Sequence, residues 1–329
     1  MKKFFLQYHL NKYPHMTNQD IIKLIYQETL GPNHIIVSKE SALKYISEEL
    51  SLENNFSNNL YEYLGPNYVR LDIHKYYQYY NTIEPLCELF IESTCKNNDI
   101  EKLRNNLEEI LSKDALSNYN FLPVSHSDQY REKYLPHYRI IKSSFITFDH
   151  KVKQITNYID QLPINSIISL EGRCASGKTT LCNSINHLYT IIPIDDFFLP
   201  IKLKTKERLN EIGGNINYEL IKEMLIELKD AISTKKETFS YKAFNCSTQE
   251  YFKKEVILKD KIILEGVYSS SPHFKEFIDK IIYLYVDKKT QYKRIHNRDL
   301  RDKFINEWIP LEENYYNSIN IEDICDIII

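Results

Sequence analysis

Glycine is scarce in this sequence, with seven residues among 329, so the position of each one is informative. Two fall in a G-x-x-x-x-G-K-T stretch, one ends the run ILEG, and two are adjacent in EIGGN. The other two lie in a tetrapeptide, LGPN, found at 30–33 and 64–67 after amphipathic segments. Gly followed by Pro after a helical run is a helix-stop signal. The residues that flank the two copies differ, so they do not indicate an internal repeat.

Paired cysteines, long apolar runs and a strong net charge are also missing. The six cysteines form no C-x-x-C pair and no metal-ligand spacing, which fits a reducing cytoplasm. No apolar run reaches the ~20 residues of a membrane helix, and Gln7 and His9 interrupt the apolar start, unlike a signal peptide. The formal net charge of -3 predicts no general attraction to nucleic acid or membranes. We therefore expect a cytoplasmic protein with neither of these partners.

The pattern of apolar residues changes along the chain and predicts two domains. Residues 1 to 147 contain segments with helical spacing, such as TNQDIIKLIYQETL, and no clear series of buried strands. After residue 163, short runs rich in Ile, among them SIISL, KIILE and KIIYLYV, alternate with helical stretches. Such alternation indicates a parallel sheet covered on both faces. We predict a mostly α-helical domain over 1–147 and an α/β domain with a doubly wound parallel sheet over 148–329.

A phosphate-binding loop is the most specific motif in the chain. The stretch SLEGRCASGKTTL at 169–181 follows the predicted strand SIISL and opens a predicted helix. The backbone N–H groups of such a loop cradle phosphates, and the helix N-terminus adds its dipole. We expect Lys178 to bridge the outer phosphates of ATP and the Thr179 hydroxyl to bind Mg²⁺. The predicted phosphate-binding residues are Gly172, Ala175, Ser176, Gly177, Lys178, Thr179 and Thr180.

Motors, switches and transferases all use such a loop, and other motifs separate them. The chain has no guanine-reading N-K-x-D and no glycine-rich signature helix of a transport ATPase. The second apolar run of the α/β domain ends in IIPIDDFFLP, in which two acids precede aromatic residues, a pattern that suits a substrate pocket. We assign Asp195 as the base that accepts the proton of an attacking hydroxyl. The alternative is that one of the two residues, Asp195 or Asp196, caps the following turn. Both roles are compatible, with one aspartate in each.

Two further kinds of side chain are expected at the same edge of the sheet. Glu265 ends the third apolar run and is predicted to hold Mg²⁺ directly or through water. Arg294, Arg298 and Arg301 follow the fourth run and could close over the phosphates. Arginines on the exposed face of a surface helix would give the same sequence pattern. We assign the catalytic role to Arg298.

Residues 166–329 resemble the uridine kinase and phosphoribulokinase-like branch of P-loop kinases. GRCASGKTT, IDDFFLP, ILEGVYS and RIHNRD carry the resemblance, and GGNINY, YKAFNCSTQ and NEWIPLE are similar to stretches of bacterial uridine kinase-like proteins. The resemblance implies transfer of the γ-phosphoryl of ATP to a hydroxyl of a nucleoside or other small metabolite. It also implies that Asp195 is the general base and that Thr179 and Glu265 serve Mg²⁺. The implied contacts of the acceptor are Asp196, Phe198, Tyr218 and Tyr241.

The acceptor half departs from uridine kinases proper. NINY at 215–218 stands where they have an aspartate-histidine-proline stretch. Phe244, Asn245 and Cys246 stand where a base-reading histidine is expected, and Phe198 takes the place of a tyrosine. The motifs for the phosphoryl donor are complete and those for the acceptor are altered. The resemblance therefore predicts a kinase without naming uridine as the substrate.

The helical half has its own concentration of polar residues, in LGPNHII, YVRLDIH and VSHSDQYREKYLPHYRII. Histidines and arginines in loops are candidate ligand groups, and arginines favour an anion such as a phosphorylated metabolite. The alternative is a hydrated helix and loop with ordinary tyrosine packing. As an alternative function, the whole chain could be an ATP sensor whose helical domain binds a phosphorylated ligand or a partner. The candidate residues of this second site are His34, Arg70, His126, Arg131, Tyr138 and Arg139.

Overall fold

The chain divides into two compact units, Met1–Tyr158 and Ile159–Ile329. The computed structural model describes residues 2–32, 38–51, 59–94, 99–136, 138–296 and 298–329. The division falls later than the boundary expected from the sequence, after residue 147, because the intervening helix packs with the first unit. In that helix the side chain of Gln154 is buried and donates a hydrogen bond of 3.1 Å to the carbonyl of Tyr61.

The first unit is mostly helical. Its helices are α1 (Lys2–Lys12), α2 (Asn18–Leu30), α3 (Lys39–Leu50), α4 (Ile73–Tyr80), α5 (Glu84–Glu92), α6 (Ile100–Glu108), α7 (Lys113–Leu116), α8 (Asp128–Tyr134) and α9 (Phe148–Asp160). The start of α2 follows its sequence signal, since Thr17 forms a capping box with Asp20. One part of the core joins α2 to α6 through Ile22, Ile25, Tyr26, Leu30, Leu103 and Leu107.

A small antiparallel sheet in the first unit was not expected. Its strands, in the order β1-β2-β3, are β1 (Tyr61–Tyr63), β2 (Tyr68–Asp72) and β3 (Tyr138–Lys142). Every residue of β2 is buried, so the strand shows none of the alternation that identifies a half-exposed strand. The first LGPN ends α2, with Gly31 at a φ of +63°. The second was wrongly interpreted as a helix stop, because residues 64–67 connect β1 to β2.

The second unit is built on a parallel sheet. Its strands are β4 (Ile167–Glu171), β5 (Thr190–Pro193), β6 (Thr238–Asn245), β7 (Glu250–Ile257), β8 (Ile262–Glu265), β9 (Lys280–Tyr283) and β10 (Ile327–Ile328). Five of them form a parallel sheet in the order β10-β9-β4-β8-β5, and β6 pairs with β7 in a separate antiparallel hairpin. Its helices are α10 (Lys178–Ile185), α11 (Lys206–Asn210), α12 (Tyr218–Ser233), α13 (Lys288–His296), α14 (Arg301–Lys303), α15 (Ile309–Ile319) and α16 (Ile321–Ile324).

This arrangement confirms the predicted α/β fold with a parallel sheet, preceded by a mostly α-helical unit. Strands β4 and β8 are fully buried, as expected for parallel strands covered on both faces. The phosphate loop follows the central strand β4, while β5 and β8 lead to Asp195 and Glu265. Ligands of such sheets bind at the carboxyl ends of the strands, where these segments meet. Among the described residues, no helix combines the length and the apolar character needed to cross a membrane.

Candidate active site

Two glycines of the phosphate loop have backbone conformations that a side chain would disturb. Gly172 has a φ of +157°, and a Cβ atom there would lie 2.7 Å from the carbonyl oxygen of Leu284. Gly177 has a φ of +106° and is the N-cap of α10. Conformations with positive φ are accessible to glycine at little cost. The spacing of the motif therefore reflects the path of the loop.

Two basic side chains hold the carbonyl groups of the loop. Lys178 Nζ is buried and donates to the carbonyls of residues 172 and 173, at 2.6 and 3.1 Å. Arg294, on α13, donates from one guanidinium nitrogen to the carbonyls of residues 175 and 176, at 2.8 and 3.0 Å. The first backbone N–H groups of α10 have no hydrogen-bond acceptor within the helix, as at any helix start. Such groups bind anions.

A cavity of about 230 Å³ lies against the loop. It brings together most of the predicted donor-side residues: Ala175, Gly177, Lys178, Thr179, Thr180, Asp195, Glu265 and Arg298. Gly172 and Ser176 belong to the loop without lining the cavity. Residues from the carboxyl ends of three strands thus meet at one site.

Side chains with oxygen atoms line the cavity, among them those of Thr179, Asp195 and Glu265. The Thr179 hydroxyl donates to Glu265 Oε1 at 3.3 Å, and Asp195 lines the same space. Burial raises the pKa of Glu265, and Lys178 opposes that shift. Oxygen donors of this kind fit Mg²⁺. Among the described residues, no three or more His, Cys, Asp or Glu side chains lie together in a group that could hold a metal ion.

The two adjacent aspartates have different surroundings. Asp195 lines the mouth of the cavity, where desolvation raises its pKa, with Lys178 opposing and Asp196 adding to the shift. Asp196 Oδ2 accepts a hydrogen bond of 2.6 Å from the Tyr241 hydroxyl and one of 2.8 Å from Lys254 Nζ. Both donors belong to the β6–β7 hairpin. Asp196 is therefore engaged in holding the hairpin, and Asp195 faces the cavity.

Only one of the four predicted acceptor contacts lines the cavity, and that residue is Phe198. Tyr241 is bound to Asp196 as described. The ring of Tyr218 is stacked on His273 with centroids 3.7 Å apart, and the guanidinium of Arg208 lies 3.7 Å over the same ring. Within the described residues, Tyr218 and Tyr241 thus contact protein groups beside the site.

Several residues of the cavity wall were not predicted as site residues from the sequence, among them Asn215, Tyr268, Phe304, Trp308 and Glu312. Tyr268 has a φ of +77°, a strained conformation for a bulky residue and one that often occurs at functional sites. Phe304 and Trp308 are the first and last residues of a π-helical turn that precedes α15. Trp308 and Glu312 lie in the stretch NEWIPLE, and the single tryptophan of the chain was a signal that could have identified them.

The three candidate arginines have separate positions. Arg298 lines the cavity at its exposed rim, with its guanidinium 5.6 Å from the ring centroid of Phe304. Arg294 binds the loop carbonyls. Arg301 is exposed and contacts His296 Nδ1 at 3.0 Å. Of these three candidates, Arg294 and Arg298 are therefore the ones placed at the phosphate loop or its cavity.

Three of the predicted second-site residues come together in the first unit. Arg70 is buried, forms an ion pair with Glu62 and lies 5.1 Å over the ring of Tyr138. His126 Nε2 is 2.6 Å from the Tyr138 hydroxyl, and its Nδ1 is 2.9 Å from Asp20 Oδ1. Burial lowers the pKa of His126 to about 4, so the ring is neutral at pH 7. The charge of Arg70 is thus already paired within the cluster.

The other predicted second-site residues lie elsewhere. Arg139 forms an ion pair with Glu49, and the exposed Arg131 forms one with Asp128. His34 lies outside the described residues. An anion site in this unit stays a prediction, centred on Arg70 and its neighbours.

Weak similarity to solved kinase structures covers about half of the chain. No protein-family model and no curated protein matches the chain. Among solved structures, a possible uridine kinase from Bacillus stearothermophilus is 18% identical with a TM-score of 0.44, covering 56% of this chain and 99% of its own. A deoxyadenosine kinase from M. mycoides with bound dATP is 17% identical with a TM-score of 0.22, covering 50% of this chain and 90% of its own. Similarity at this level does not extend to substrate or activity.

Proposed function

We propose that the second unit is an ATP-dependent, uridine kinase-like enzyme that transfers the γ-phosphoryl of ATP to a hydroxyl of a nucleoside or related small metabolite. One observation carries the proposal: the phosphate loop, two carboxylates and aromatic walls share a single cavity. A phosphate site beside a carboxylate that can take a proton is what phosphoryl transfer to an alcohol requires.

The donor side is supported by the loop and its helix. The N–H groups at the start of α10 and the ammonium group of Lys178 would stabilise charge on the transferring phosphoryl. Arg298 would approach the same charge from the rim. Thr179 and Glu265 would hold Mg²⁺, which supplies charge neutralisation and orientation of the phosphates.

On the acceptor side, Asp195 acts as the base. Its carboxylate takes the proton of the acceptor hydroxyl, the oxygen forms a bond to the γ-phosphorus, and the bond from that phosphorus to the β–γ bridging oxygen breaks to release ADP. The raised pKa of Asp195 lies closer to neutral pH and makes the carboxylate a stronger base.

The walls of the cavity favour an organic acceptor over water. Phe198, Phe304 and Trp308 line it, and apolar walls around a phosphate site limit the access of water. A base in the cavity also supports an enzyme over an ATP sensor, which needs no proton acceptor.

Release of ADP, measured by a coupled assay with ATP and Mg²⁺ over a panel of nucleosides and small alcohols, tests the proposal. We expect at least one alcohol to raise ADP release well above the rate with ATP alone, and the Lys178→Ala variant to lose that increase. ATP binding without any acceptor-dependent turnover would instead support the sensor.

A further inference from the structure

Glu312 brings a third carboxylate to the cavity. It belongs to α15, is only 4% exposed and lines the cavity. Its Oε2 accepts a hydrogen bond of 3.0 Å from the backbone N–H of Cys174, in the phosphate loop. Burial raises the pKa of Glu312, while the Cys174 amide and Lys178 favour its ionised form. The position of this carboxylate is therefore set by the loop itself.

Neighbouring residues of α15 hold Glu312 in place. Glu313 pairs with Arg173, with N–O distances of 2.7 and 3.2 Å. The hydroxyls of Tyr315 and Tyr316 donate to the buried carboxylate of Glu171, at 3.0 and 2.8 Å. Because the residues that follow Glu312 on α15 are bound to Arg173 and Glu171, this carboxylate is a fixed part of the wall.

The rest of the acceptor wall is aromatic. Phe198, Tyr268, Phe304 and Trp308 line the cavity, and the last two form an edge-to-face pair with centroids 4.4 Å apart. The face of an aromatic ring carries partial negative charge and attracts cations. A substrate that enters beside these rings meets carboxylates and ring faces.

The nearby cations have other partners or lie at the rim. Lys178 is directed at the loop, and Arg298 is exposed over Phe304. Lys204 donates to Asn215 Oδ1 at 2.7 Å and lies 5.6 Å from the ring centroid of Phe198. Lys303 Nζ lies 5.7 Å from the ring centroid of Trp308. Lys204, Lys303 and Arg298 are thus the cations near the acceptor wall that could attract a negative group.

We propose that Glu312 selects the phosphoryl acceptor by charge, so that the cavity takes an alcohol without a negative group and rejects one that carries a phosphate or carboxylate. This inference rests on the proposed kinase function. Like charges in a partly dehydrated cavity repel strongly, and specificity often comes from such a repulsive element. ATP would avoid this repulsion because the loop amides and the positive charge of Lys178 would offset the charge of its phosphates.

Matched alcohols test the selection. The kcat/KM for ADP release is measured with ribose against ribose 5-phosphate, and with nucleosides against their 5′-monophosphates. We expect the uncharged member to be preferred by at least about tenfold, and Glu312→Gln to remove most of that preference. The control is Glu307→Gln, which removes an exposed carboxylate of the π-helical turn and should leave the preference unchanged. A preference for the phosphorylated member, whichever of Lys204, Lys303 and Arg298 supplies it, would overturn the proposal.

A second measurement does not depend on turnover. Cys174 lines the cavity and its backbone N–H binds Glu312, so the rate at which a cationic and an anionic methanethiosulfonate modify its thiol reports the local charge. Peptide mass spectrometry separates this site from other cysteines. We expect the cationic reagent to react faster, and the ratio of the two rates to fall about tenfold in Glu312→Gln. An unchanged ratio overturns the proposal, whereas failure of every alcohol to react counts against the kinase function alone.

Discussion

The hydroxyl of Tyr241 donates a hydrogen bond of 2.6 Å to Oδ2 of Asp196, and this contact separates the roles of two adjacent aspartates. Lys254 Nζ lies 2.8 Å from the same oxygen, so the carboxylate of Asp196 forms an ion pair with a lysine of the β6–β7 hairpin. Asp195, one residue earlier, lines the cavity instead. A pair of identical side chains is thus divided into a candidate base and an anchor.

Substitution of each aspartate tests this division. Asp195→Asn should lower kcat by about 10²–10⁴ with ATP binding nearly intact, as expected for loss of a positioned base. Asp196→Asn should act mainly on the KM of the acceptor, because it loosens the hairpin beside the cavity. Steady-state kinetics with the best acceptor measures both. Loss of chemistry in Asp196→Asn, with Asp195→Asn active, would reverse the assignment.

Removal of the Lys178 ammonium group should eliminate most of the charge stabilisation at the outer phosphates. We expect Lys178→Ala to reduce turnover by two or more orders of magnitude, roughly the effect of losing a key electrostatic group. The fold should be retained, which circular dichroism and thermal unfolding would verify. Unchanged ATP turnover in this variant would show that the loop is not the active site.

The pair of Thr179 and Glu265 predicts a metal-dependent phenotype. In Glu265→Gln one charged oxygen ligand is lost, so the Mg²⁺ concentration for half-maximal activity should rise, on the order of tenfold. The KM of the acceptor should change little. A titration of activity with MgCl₂ at constant free ATP measures the shift. Equal Mg²⁺ dependence in wild type and variant would remove Glu265 from the metal site.

The carboxylate of Glu171 connects α15 to the phosphate loop and should matter for stability. It is buried and accepts hydrogen bonds from Tyr315, Tyr316 and the backbone N–H groups of Gly172 and Ser270. Tyr316→Phe leaves part of this buried acceptor unsatisfied, so we expect a loss of about 1–3 kcal/mol in the free energy of unfolding.

Urea denaturation measures this change. The matched control is Tyr292→Phe, since Tyr292 is 45% exposed on α13. An equal, small effect of both substitutions would show that the Glu171 contacts do not stabilise the loop.

Asp20 gives the first unit a defined acid sensitivity. Burial opposes its ionisation, yet hydrogen bonds from Ser127, Thr17 and His126 outweigh that effect and lower its pKa to about 2. Because the pKa of Asp20 is lower in the folded protein than in the unfolded chain, its ionised carboxylate stabilises the fold at pH values above the ordinary pKa. This stabilisation is lost as the pH falls through the pKa of the folded protein. The contribution is about 2 kcal/mol at pH 7 and declines between about pH 4 and pH 2.

Unfolding of Asp20→Asn and wild type should therefore differ by about 2 kcal/mol at pH 7, with a smaller difference near pH 3. Asp128→Asn serves as the control, because the side chain of Asp128 is 85% exposed. A difference that stays constant with pH would exclude a depressed pKa for Asp20.

Much of the donor side of the site could be predicted from the sequence because its determinants are local. The loop requires glycine at positions of unusual backbone geometry, as at Gly172 and Gly177, and that requirement leaves a spacing that can be recognised. The carboxylates at the ends of β5 and β8 were placed by the rule that parallel strands present their carboxyl ends to one crevice.

The acceptor side could not be predicted in the same way. Tyr218 and Tyr241 were assigned to the substrate through their motifs, but stacking on His273 and bonding to Asp196 engage them with protein groups. The strands of the first unit were missed because burial on both faces removes the alternation that marks a strand.

The sequence alone determined the α/β class of the second unit and the path of its glycine-containing loop, since the loop motif lies between a strand and a helix. The tertiary structure decided which side chains line the cavity beside it. Glu312 and Cys174 are 138 residues apart, and only the packing of α15 on the loop brings them into contact. Such long-range contacts depend on the summed packing of many residues, and no local pattern in the sequence records them.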